Sequence, residues 1–362
     1  MRRIHPTQRL RPLSLPAPLS QSGCSLVLAA ILLAGHGAHA QDAQPATASA
    51  SVAQGRLRGL SAVDENIAWA SGVKGTVIRT VDGGATWHNV SVPGAGALDF
   101  RDIEAFSDSE AVVLAAAPGP DSKLYRTTDG GAHWSLVLQN LDPQGFYDCM
   151  AFEGDRGWML GDPINGRYQV FQTRDRGAHW SLSNNGTPAV KDEAAFAASG
   201  TCIARNGDST FVPTGGAEAN LHAKRDGSSR WQKFDSGMGR QLASAGVFSA
   251  AAMGDAMILV GGDYKEEKKP GNASVFKNGK MTVIAAPPGY RSGVACFAAG
   301  DVCVAVGPSG ADMWNGSAWR VLDTASWDSV EISGNAVWMS GVKGRVGRYT
   351  RAQVDAAGAP AR

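Results

Sequence analysis

Polar and aromatic side chains stand at the ends of short apolar runs in this sequence, and these residues are the candidates for chemistry. Asp162 follows the run 158–161, and Asp263 with Tyr264 follows the run 258–261. Carboxylates, guanidinium groups and phenols that converge in one place can bind a charged ligand or transfer protons. We group such positions into one predicted binding rim, which consists of Lys74, Arg101, Asp102, Asp148, Asp162, Glu193, Asp263, Tyr264, Tyr290, Arg291, Asp328 and Lys343.

The same residues allow a second interpretation, in which they only shape the fold. An Asp after a strand is a common turn former, and Arg–Asp pairs often join neighbouring sheets at the surface. The choice between the two depends on the elements that carry these side chains.

Three copies of one pattern, T-x-D-x-G-x-T/H-W, recur in the first half of the chain. They span residues 80–87, 127–134 and 173–180, and a degenerate fourth copy spans 224–231. The Asp of such a pattern can accept hydrogen bonds from its own turn, and Gly permits the positive φ of a tight hairpin. We interpret the acids and tryptophans as structural closures of β-hairpins, namely Asp82, Trp87, Asp129, Trp134, Asp175, Trp180, Asp226 and Trp231.

A second repeat runs in phase with the first. In each unit, a short apolar strand with a Gly-rich turn precedes the box or its remains. The period set by Trp87, Trp134 and Trp180 is typical of a four-stranded blade. The sequence therefore predicts an all-β fold, a seven-bladed β-propeller with four-stranded antiparallel blades over residues 51–350. Six blades with a decayed piece is the alternative. The last unit lacks an outer strand, which we expect residues 51–54 to supply.

The pattern resembles the Asp-box of sialidases and of the Ycf48-like photosystem II assembly factors. The second resemblance covers about residues 50–350, and phrases similar to a bacterial branch of that group occur at 158–163, 193–200, 260–264, 289–292 and 306–310. It implies a seven-bladed propeller that acts as a binding scaffold, since the plant and cyanobacterial relatives are assembly factors that bind a membrane protein. It implies no photosystem partner for this chain.

Two functions follow from these resemblances. The first is a non-catalytic scaffold for a protein or envelope partner, with a glycan as the alternative ligand. The second is a sialidase-like glycoside hydrolase, with Arg101, Arg291 and Arg348 as an arginine triad and Tyr264 or Tyr290 as the nucleophile. The Arg-Ile-Pro phrase typical of sialidases is absent from the sequence, and sialidases have six blades. We therefore favour the scaffold and expect no catalysis.

The cysteines predict disulfide bonds rather than a metal site. Cys149 and Cys202 occupy the same offset in successive units, and Cys296 and Cys303 flank a turn at 298–301. Both pairs are disulfide candidates in an oxidising compartment, and burial as small apolar side chains is the alternative. Because the sequence contains no CxxC, haem or dinucleotide-binding motif, we predict no metal and no cofactor.

The first forty residues are typical of a secretory signal peptide. Four arginines precede an apolar run at 24–33, and Ala38 and Ala40 frame a cleavage site that leaves Gln41 as the first residue. The run is too short to span a bilayer as a mature helix, and an uncleaved anchor is the alternative. We predict a signal peptide over 1–40, a disordered linker over 41–50 and a disordered tail over 351–362, in a periplasmic or secreted protein.

The charge of the chain argues against a nucleic-acid partner. The sequence has 34 basic and 33 acidic residues, and removal of the four N-terminal arginines leaves a mildly acidic chain. We expect the mature chain to be a monomer without an integral membrane span.

Overall fold

Seven antiparallel sheets, each built on four strands, form the blades of a β-propeller in this computed structural model of the chain. The structure describes residues 46–49, 53–183 and 185–358. The predicted signal peptide lies outside the described residues, as do most of the predicted linker and residues 359–362. The expectation of an all-β, seven-bladed propeller with four-stranded antiparallel blades is confirmed.

In each blade the strands are called A to D from the central axis outward. The first strand of the described residues, β1 (Ala46–Ser49), belongs to the last blade. Blade 1 contains β2 (Leu57–Ala62), β3 (Ala68–Gly72), β4 (Thr76–Thr80) and β5 (His88–Asn89). Blade 2 contains β6 (Phe100–Ala105), β7 (Ala111–Ala115), β8 (Lys123–Thr127) and β9 (Ser135–Gln139). Blade 3 contains β10 (Tyr147–Glu153), β11 (Arg156–Ile164), β12 (Arg167–Thr173) and β13 (Ser181–Ser183).

The next strand, β14 (Glu193–Ala194), leaves the regular pattern and joins the sheet of blade 5. Blade 4 contains β15 (Ala204–Asn206), β16 (Ser209–Pro213), β18 (Asn220–Arg225) and β19 (Gln232–Asp235). In the chain between β16 and β18, a short strand β17 (Gly215–Gly216) pairs with β14 on one side and with the inner strand of blade 5 on the other. Blade 5 contains β20 (Leu242–Met253), β21 (Ala256–Asp263), β22 (Asn272–Lys277) and β23 (Lys280–Val283). Blade 6 contains β24 (Gly293–Cys296), β25 (Cys303–Gly307), β26 (Gly310–Trp314) and β27 (Trp319–Asp323).

Blade 7 combines the two ends of the propeller sequence. Its inner strands are β28 (Ser329–Ser333), β29 (Ala336–Ser340) and β30 (Arg345–Thr350). The outer strand is β1, which pairs with β30 and closes the ring. From the sequence we expect this strand at 51–54 and a linker over 41–50, and the structure differs by a few residues. The reason is that Gly55 O already accepts a hydrogen bond from the Gly344 N–H before β30 begins, so pairing along β30 uses earlier residues.

Each of the three well-preserved boxes closes its hairpin through one network of hydrogen bonds. In the first, Asp82 Oδ1 accepts hydrogen bonds from the Thr86 N–H at 2.9 Å and from the Thr80 hydroxyl at 2.8 Å. The Thr86 hydroxyl bonds to Asp82 Oδ2, and these bonds lower the pKa of Asp82 to about 2. Asp129 and Asp175 accept equivalent bonds in the next two boxes. These acids therefore hold turns between strands C and D, on the face of the propeller opposite the B–C and D–A connections.

The degenerate fourth box uses its acid differently, which corrects its interpretation as a hairpin closure. Position 230 is Arg, where the other boxes have Thr or His. Asp226 instead accepts hydrogen bonds from both terminal nitrogens of Arg205, at 2.9 Å each. Trp231 Nε1 donates to the Asn185 carbonyl at 2.7 Å. The box therefore anchors an arginine of its own inner strand rather than its own turn.

The tryptophans of the first two boxes pack against the preceding blade. Trp87 meets Trp338 of blade 7 edge-on with ring centroids 6.1 Å apart, and Trp134 meets Trp69 of blade 1 at 6.5 Å. Trp180 meets Phe152 of its own blade at 5.8 Å. Edge-to-face contacts of this kind stabilise aromatic pairs beyond their buried area.

Each pair of neighbouring blades buries one apolar cluster, and the described residues form seven of them. At the interface of blades 6 and 7, Val304, Trp327 and Met339 are fully buried. Because each blade contributes to two clusters, every blade depends on both of its neighbours to bury its apolar faces. The inner strands, which carry the candidate site, are therefore held rigidly around the axis.

A short helix, α1 (Arg351–Gly358), follows the last strand and differs from the disordered tail expected over 351–362. Thr350 and Gln353 form a capping box. The Thr350 N–H donates to Gln353 Oε1 at 2.8 Å, and the Gln353 N–H donates to Thr350 Oγ1 at 3.3 Å. Val354 is fully buried in the cluster of blades 6 and 7. Short 3-10 helices span Gly119–Asp121 and Val342–Gly344. No helix of the described residues is long and apolar enough to cross a membrane.

Candidate binding site at the channel mouth

A cavity of about 380 Å³ opens at the end of the central channel that carries the B–C and D–A connections. We call it the mouth cavity. Its volume lies in the range of ligand pockets. Its wall combines arginines, carboxyl groups and aromatic rings with small residues. The larger lining residues are Arg56, Arg58, Arg101, Phe146, Asp148, Asp162, Phe196, Phe248, Tyr264, Glu267, Tyr290 and Asp328.

Four inner strands reach the mouth cavity through the same device, a β-bulge. The regular pairing of strand A with strand B is interrupted at Arg58 in blade 1, Arg101 in blade 2, Asp148 in blade 3 and Phe248 in blade 5. A bulge adds one residue to a strand and redirects its side chain out of the regular alternation. All four bulge residues line the mouth cavity. The site is thus built on the rigid inner strands as well as on the connections.

The arginines of the mouth cavity are only partly neutralised. Arg56 Nε lies 2.9 and 2.8 Å from the two carboxylate oxygens of Asp328, and this hydrogen bonding raises the pKa of Arg56 against the effect of burial. Arg58 and Arg101 share the single carboxylate of Asp99, at 2.6 and 2.9 Å. Burial lowers the pKa of Arg58 in spite of Asp99. Two guanidinium groups on one carboxylate leave an excess of positive charge at this part of the wall.

Another part of the wall holds two carboxyl groups with unused oxygens. Asp148 is 1% exposed, and Asp148 Oδ2 and Asp162 Oδ1 are buried without a hydrogen-bond partner among the described residues. Burial raises the pKa of Asp148 well above its ordinary value; Asp162 adds to this and Arg101 opposes it. Burial also raises the pKa of Asp162 to about 6, although the Ala195 N–H acts in the other direction. The pair therefore keeps hydrogen-bonding capacity toward the cavity.

Four aromatic rings form the apolar part of the wall. Phe196 stacks on Phe248 with ring centroids 3.8 Å apart, and Tyr290 and Tyr264 meet Phe248 edge-on at 4.7 and 6.2 Å. Tyr290 is buried, whereas Tyr264 is 44% exposed. Tyr264 therefore presents both its ring and its hydroxyl group at the entrance of the cavity.

Residues 195–201, which we call the plug segment, pass through the central channel. The first half of the plug segment lines the mouth cavity, and the second half lines another cavity at the other end. Ser199 Oγ donates to the Ser292 carbonyl at 2.7 Å, and the Thr201 hydroxyl lies 2.6 Å from that of Ser249. The plug segment is thus fixed to blades 5 and 6 and separates the two cavities.

The second cavity, which we call the opposite cavity, has a volume of about 260 Å³ and an acidic lining. It contains Asp102, Glu104 and Glu331, with no basic residue among the described residues that line it. Burial raises the pKa of all three, that of Glu331 to about 7. The described residues contain no group of three or more His, Cys, Asp or Glu side chains placed to hold a metal ion.

Six of the predicted rim residues line the mouth cavity, namely Arg101, Asp148, Asp162, Tyr264, Tyr290 and Asp328. Three others do not. Lys74 and Lys343 are exposed in turns where their φ angles are 62° and 58°. Asp263 accepts a 2.9 Å hydrogen bond from the Lys265 N–H and so shapes its own turn. The structure thus brings together only part of the predicted rim.

Two further rim residues are buried and paired, which corrects their placement on a binding surface. Asp102 accepts hydrogen bonds from two backbone N–H groups at the opposite cavity. Glu193 is 3% exposed and accepts hydrogen bonds from Thr214 at 2.6 Å and Asn220 at 3.0 Å, with His222 Nε2 also at 3.0 Å. Burial opposes ionisation, but these bonds lower the pKa of Glu193 to about 2. Both residues are therefore structural.

Arg291, the last predicted rim residue, is also buried, and the arginine triad of a sialidase-like site is not assembled. Arg291 Nε donates to Asp312 Oδ2 at 2.6 Å, which ties it to a neighbouring strand of blade 6. The Arg348 guanidinium lies over the ring of Trp338, 5.5 Å from its centroid. Of the three arginines, only Arg101 lines the mouth cavity.

The sequence prediction missed several residues that line the mouth cavity, namely Arg56, Arg58, Phe196, Phe248 and Glu267. Arg58 holds the position in blade 1 that Arg101 holds in blade 2, so alignment of the inner strands would have identified it. Glu267 lies in the connection between β21 and β22, which has no counterpart of equal length in blades 1, 2 or 3. The repeat therefore carries no signal for Glu267.

Both cysteine pairs form disulfide bonds in the structure. Cys149–Cys202 joins β10 to the residue that follows the plug segment, with Cα atoms 5.9 Å apart. Cys296–Cys303 joins directly paired positions of β24 and β25. The first bond therefore tethers the plug segment to blade 3.

Comparisons with known proteins agree on the architecture. The family model described as photosynthesis system II assembly factor YCF48 matches residues 53–311. The solved structure of YCF48 from Cyanidioschyzon merolae gives a TM-score of 0.61 at 16% identity, covering 83% of this chain and 97% of that chain. The structure of YCF48 bound to a D1 peptide gives a TM-score of 0.58 at 16% identity, covering 82% of this chain and 94% of that chain.

A propeller of another kind is nearly as similar in shape. The WD40 β-propeller domain of Doa1 gives a TM-score of 0.56 at 13% identity, covering 83% of this chain and 94% of that chain. No curated protein sequence matches the chain. At these identities the solved structures establish the shared fold.

Proposed function

We propose, since this chain belongs to the family of photosynthesis system II assembly factor YCF48, that it is an assembly scaffold whose mouth cavity binds a segment of a protein partner. A solved YCF48 structure contains a D1 peptide, which supports a peptide segment as the ligand class. Catalysis plays no part in this function. The partner is defined here by the chemistry of the cavity that receives it.

The observation that carries the proposal is the combination of incompletely paired charge and apolar surface in one cavity. Arg58 and Arg101 share one carboxylate and can donate further hydrogen bonds. The rings of Phe196, Phe248 and Tyr264 offer apolar contact beside them. Arginine and aromatic side chains in well-formed pockets dominate binding energy at protein interfaces. A cavity of this size receives a few side chains of an extended segment.

Exposed apolar residues extend this surface beyond the cavity. Leu141, Val190 and Leu242 are 84%, 40% and 56% exposed, and Tyr264 is 44% exposed. All four lie in or beside D–A and B–C connections, which are on the mouth face of the propeller. Apolar side chains on one face favour contact with a macromolecule over capture of a small ligand alone.

We also propose that the chain is exported to the periplasm or secreted. The signal-peptide pattern of residues 1–40 supports this, and so do the two disulfide bonds, since disulfides persist in oxidising compartments. Mass spectrometry of the mature chain should find Gln41 at its N-terminus. A cytoplasmic chain that keeps residues 1–40 would contradict export.

Site-specific cross-linking in cells tests the scaffold function. A photoreactive amino acid at Tyr264, at the entrance of the mouth cavity, should cross-link the chain to its partner. The matched control is the same amino acid at Val81, which is 43% exposed in an Asp-box turn on the other face. Protease digestion of the product distinguishes a protein partner from a glycan.

A second substitution in the Tyr264 cross-linking variant locates the binding energy. Arg101→Glu should reduce the yield about tenfold, because it reverses a charge in the cavity wall. Glu104→Gln, in the opposite cavity, should leave the yield unchanged. Equal cross-linking from Val81, or a yield that survives Arg101→Glu, would count against the mouth cavity as the docking site.

A further inference from the structure

We propose that Asp148 and Asp162 form a subsite of the mouth cavity that binds an alkylammonium group, as carried by a lysine side chain of the partner segment. The inference rests on the proposed function and adds the charge that one side chain of the partner must carry. It assigns a role to two carboxyl groups that each keep one buried oxygen atom without a hydrogen-bond partner among the described residues.

The two carboxyl groups belong to neighbouring strands, and both lie where the regular strand pairing is interrupted. Asp148 is the bulge residue of β10, and Asp162 interrupts the pairing of β11 with β12. The Asp162 N–H donates to the Phe146 carbonyl at 2.9 Å, which fixes the two strands at this point. Asp148, Asp162 and Phe146 all line the mouth cavity.

Both carboxyl groups have an oxygen atom that is buried and unpaired. Asp148 Oδ2 and Asp162 Oδ1 have no hydrogen-bond partner among the described residues. By contrast, the buried carboxylate of Glu193 nearby accepts bonds from Thr214, Asn220 and His222. A buried polar atom without a partner costs free energy, and a ligand that supplies donors recovers it.

An ammonium group is the ligand group that fits these oxygens. It brings three N–H donors and one positive charge, enough to bond to both carboxyl groups. Its alkyl stem can lie along Phe146 and Ala195, which line the same cavity. An anionic group would add negative charge beside two carboxyl groups whose ionisation burial already opposes. Arg101 Nε donates to Asp99, and neither unpaired oxygen of the pair accepts a hydrogen bond from Arg101.

The state of protonation gives the subsite a pH dependence. The charged and titratable groups around the pair are Arg101 from β6 and Tyr168 from β12, and Glu193 from β14 in turn acts on Tyr168. Because burial and the neighbouring carboxyl group raise the pKa of Asp148, the ionised form that pairs with an ammonium group becomes more populated as the pH rises. Affinity for an ammonium compound should therefore rise as the pH increases from about 5 to about 8.

Ligand-observed NMR titration of the purified chain tests the subsite. The probe is N-acetyl-lysine N-methylamide, and the matched probe is N-acetyl-norleucine N-methylamide, which lacks the ammonium group. At pH 8 we expect the lysine probe to bind about tenfold more tightly. Asp148→Asn and Asp162→Asn should each remove this preference, while Asp263→Asn, outside the cavity, should keep it. Thermal unfolding of each variant verifies that it is folded.

The outcomes separate the subsite from the proposed function. If the wild-type chain binds both probes equally, or the preference survives both Asn variants, the subsite is wrong. Cross-linking from Tyr264 that still requires Arg101 would leave the scaffold function standing in that case. If the lysine preference follows the prediction but Tyr264 and Val81 cross-link alike, the subsite stands and docking at the mouth is wrong.

Discussion

The two ends of the central channel use the same inner strands but differ in their chemistry. The mouth cavity combines arginines, carboxyl groups and aromatic rings, whereas the lining of the opposite cavity is acidic. Arg101 and Asp102 are adjacent in β6, yet Arg101 lines the mouth cavity and Asp102 lines the opposite cavity. The bulge at Arg101 produces this separation. Side-chain direction within an inner strand therefore decides which end a residue serves.

The two ends also differ in how their carboxyl groups are neutralised. At the mouth, Asp328 binds Arg56 and Asp99 binds two arginines, while burial raises the pKa of Asp148 and Asp162. At the opposite cavity, burial also raises the pKa of Glu104 and Glu331, but no basic residue is present among the described residues that line it. The proposed docking at the mouth relies on this contrast, and at the opposite cavity we expect pH to act on stability.

The largest expected effect comes from the Cys149–Cys202 disulfide bond, which tethers the plug segment between the two cavities. The Cys149–Cys202 bond has a sequence separation of 53, and the Cys296–Cys303 bond has one of 7. Replacing Cys149 and Cys202 by Ala should lower the free energy of unfolding by about 2–5 kcal/mol. The same change at Cys296 and Cys303 should cost about 2 kcal/mol less, because the closed loop is shorter. Denaturant unfolding measures both; an inverted order would refute the account of the tether.

Glu193 provides the next largest effect, because it is a buried carboxylate beside the mouth with satisfied hydrogen bonds. Its pKa of about 2 in the folded chain lies below its ordinary value, so its contribution to stability is present above about pH 4.5 and is lost toward pH 2. Glu193→Gln should lower the free energy of unfolding by about 2 kcal/mol at pH 7 and by much less near pH 3. A deficit that is the same at every pH would show that ionisation is not its cause.

Glu331 should show the opposite sign at the other end of the channel. Burial raises its pKa to about 7, so the folded chain binds more protons than the unfolded chain between about pH 4.5 and pH 7. Stability from this group is therefore complete at low pH and lost as the pH rises through 7. Glu331→Gln should raise the melting temperature by a few degrees at pH 8 relative to wild type, and less at pH 5. A melting-temperature difference between the variant and wild type that is the same at pH 5 and pH 8 would contradict the raised pKa of this carboxyl group.

The fold could be predicted from the sequence because the repeats carry it. The spacing of the boxes and the apolar strands sets the blade length, and the structure confirms seven four-stranded blades. The closing strand was harder to predict, because β1 lies upstream of the first apolar strand of the repeat. The helix after β30 carried a usable signal in the capping box of Thr350 and Gln353, which the expectation of a tail overlooked.

The site could be predicted only in part, because its composition depends on bulges and on pairing between distant residues. Alternation along a strand does not reveal that Arg101 and Asp102 face different cavities. Nothing local indicates that Glu193 meets His222 or that Arg291 meets Asp312. The repeat does carry a signal for Arg58, since it occupies the bulge position of blade 1.

The most direct measurement of the central claim compares matched substitutions at the two ends of the channel. The partner identified by cross-linking is titrated against the double variant Arg58→Ala with Arg101→Ala and against the double variant Glu104→Gln with Glu331→Gln. We expect the mouth variant to lose at least about tenfold in affinity and the opposite-cavity variant to bind like wild type. An unchanged mouth variant, or an equal loss from both, would contradict docking at the mouth cavity.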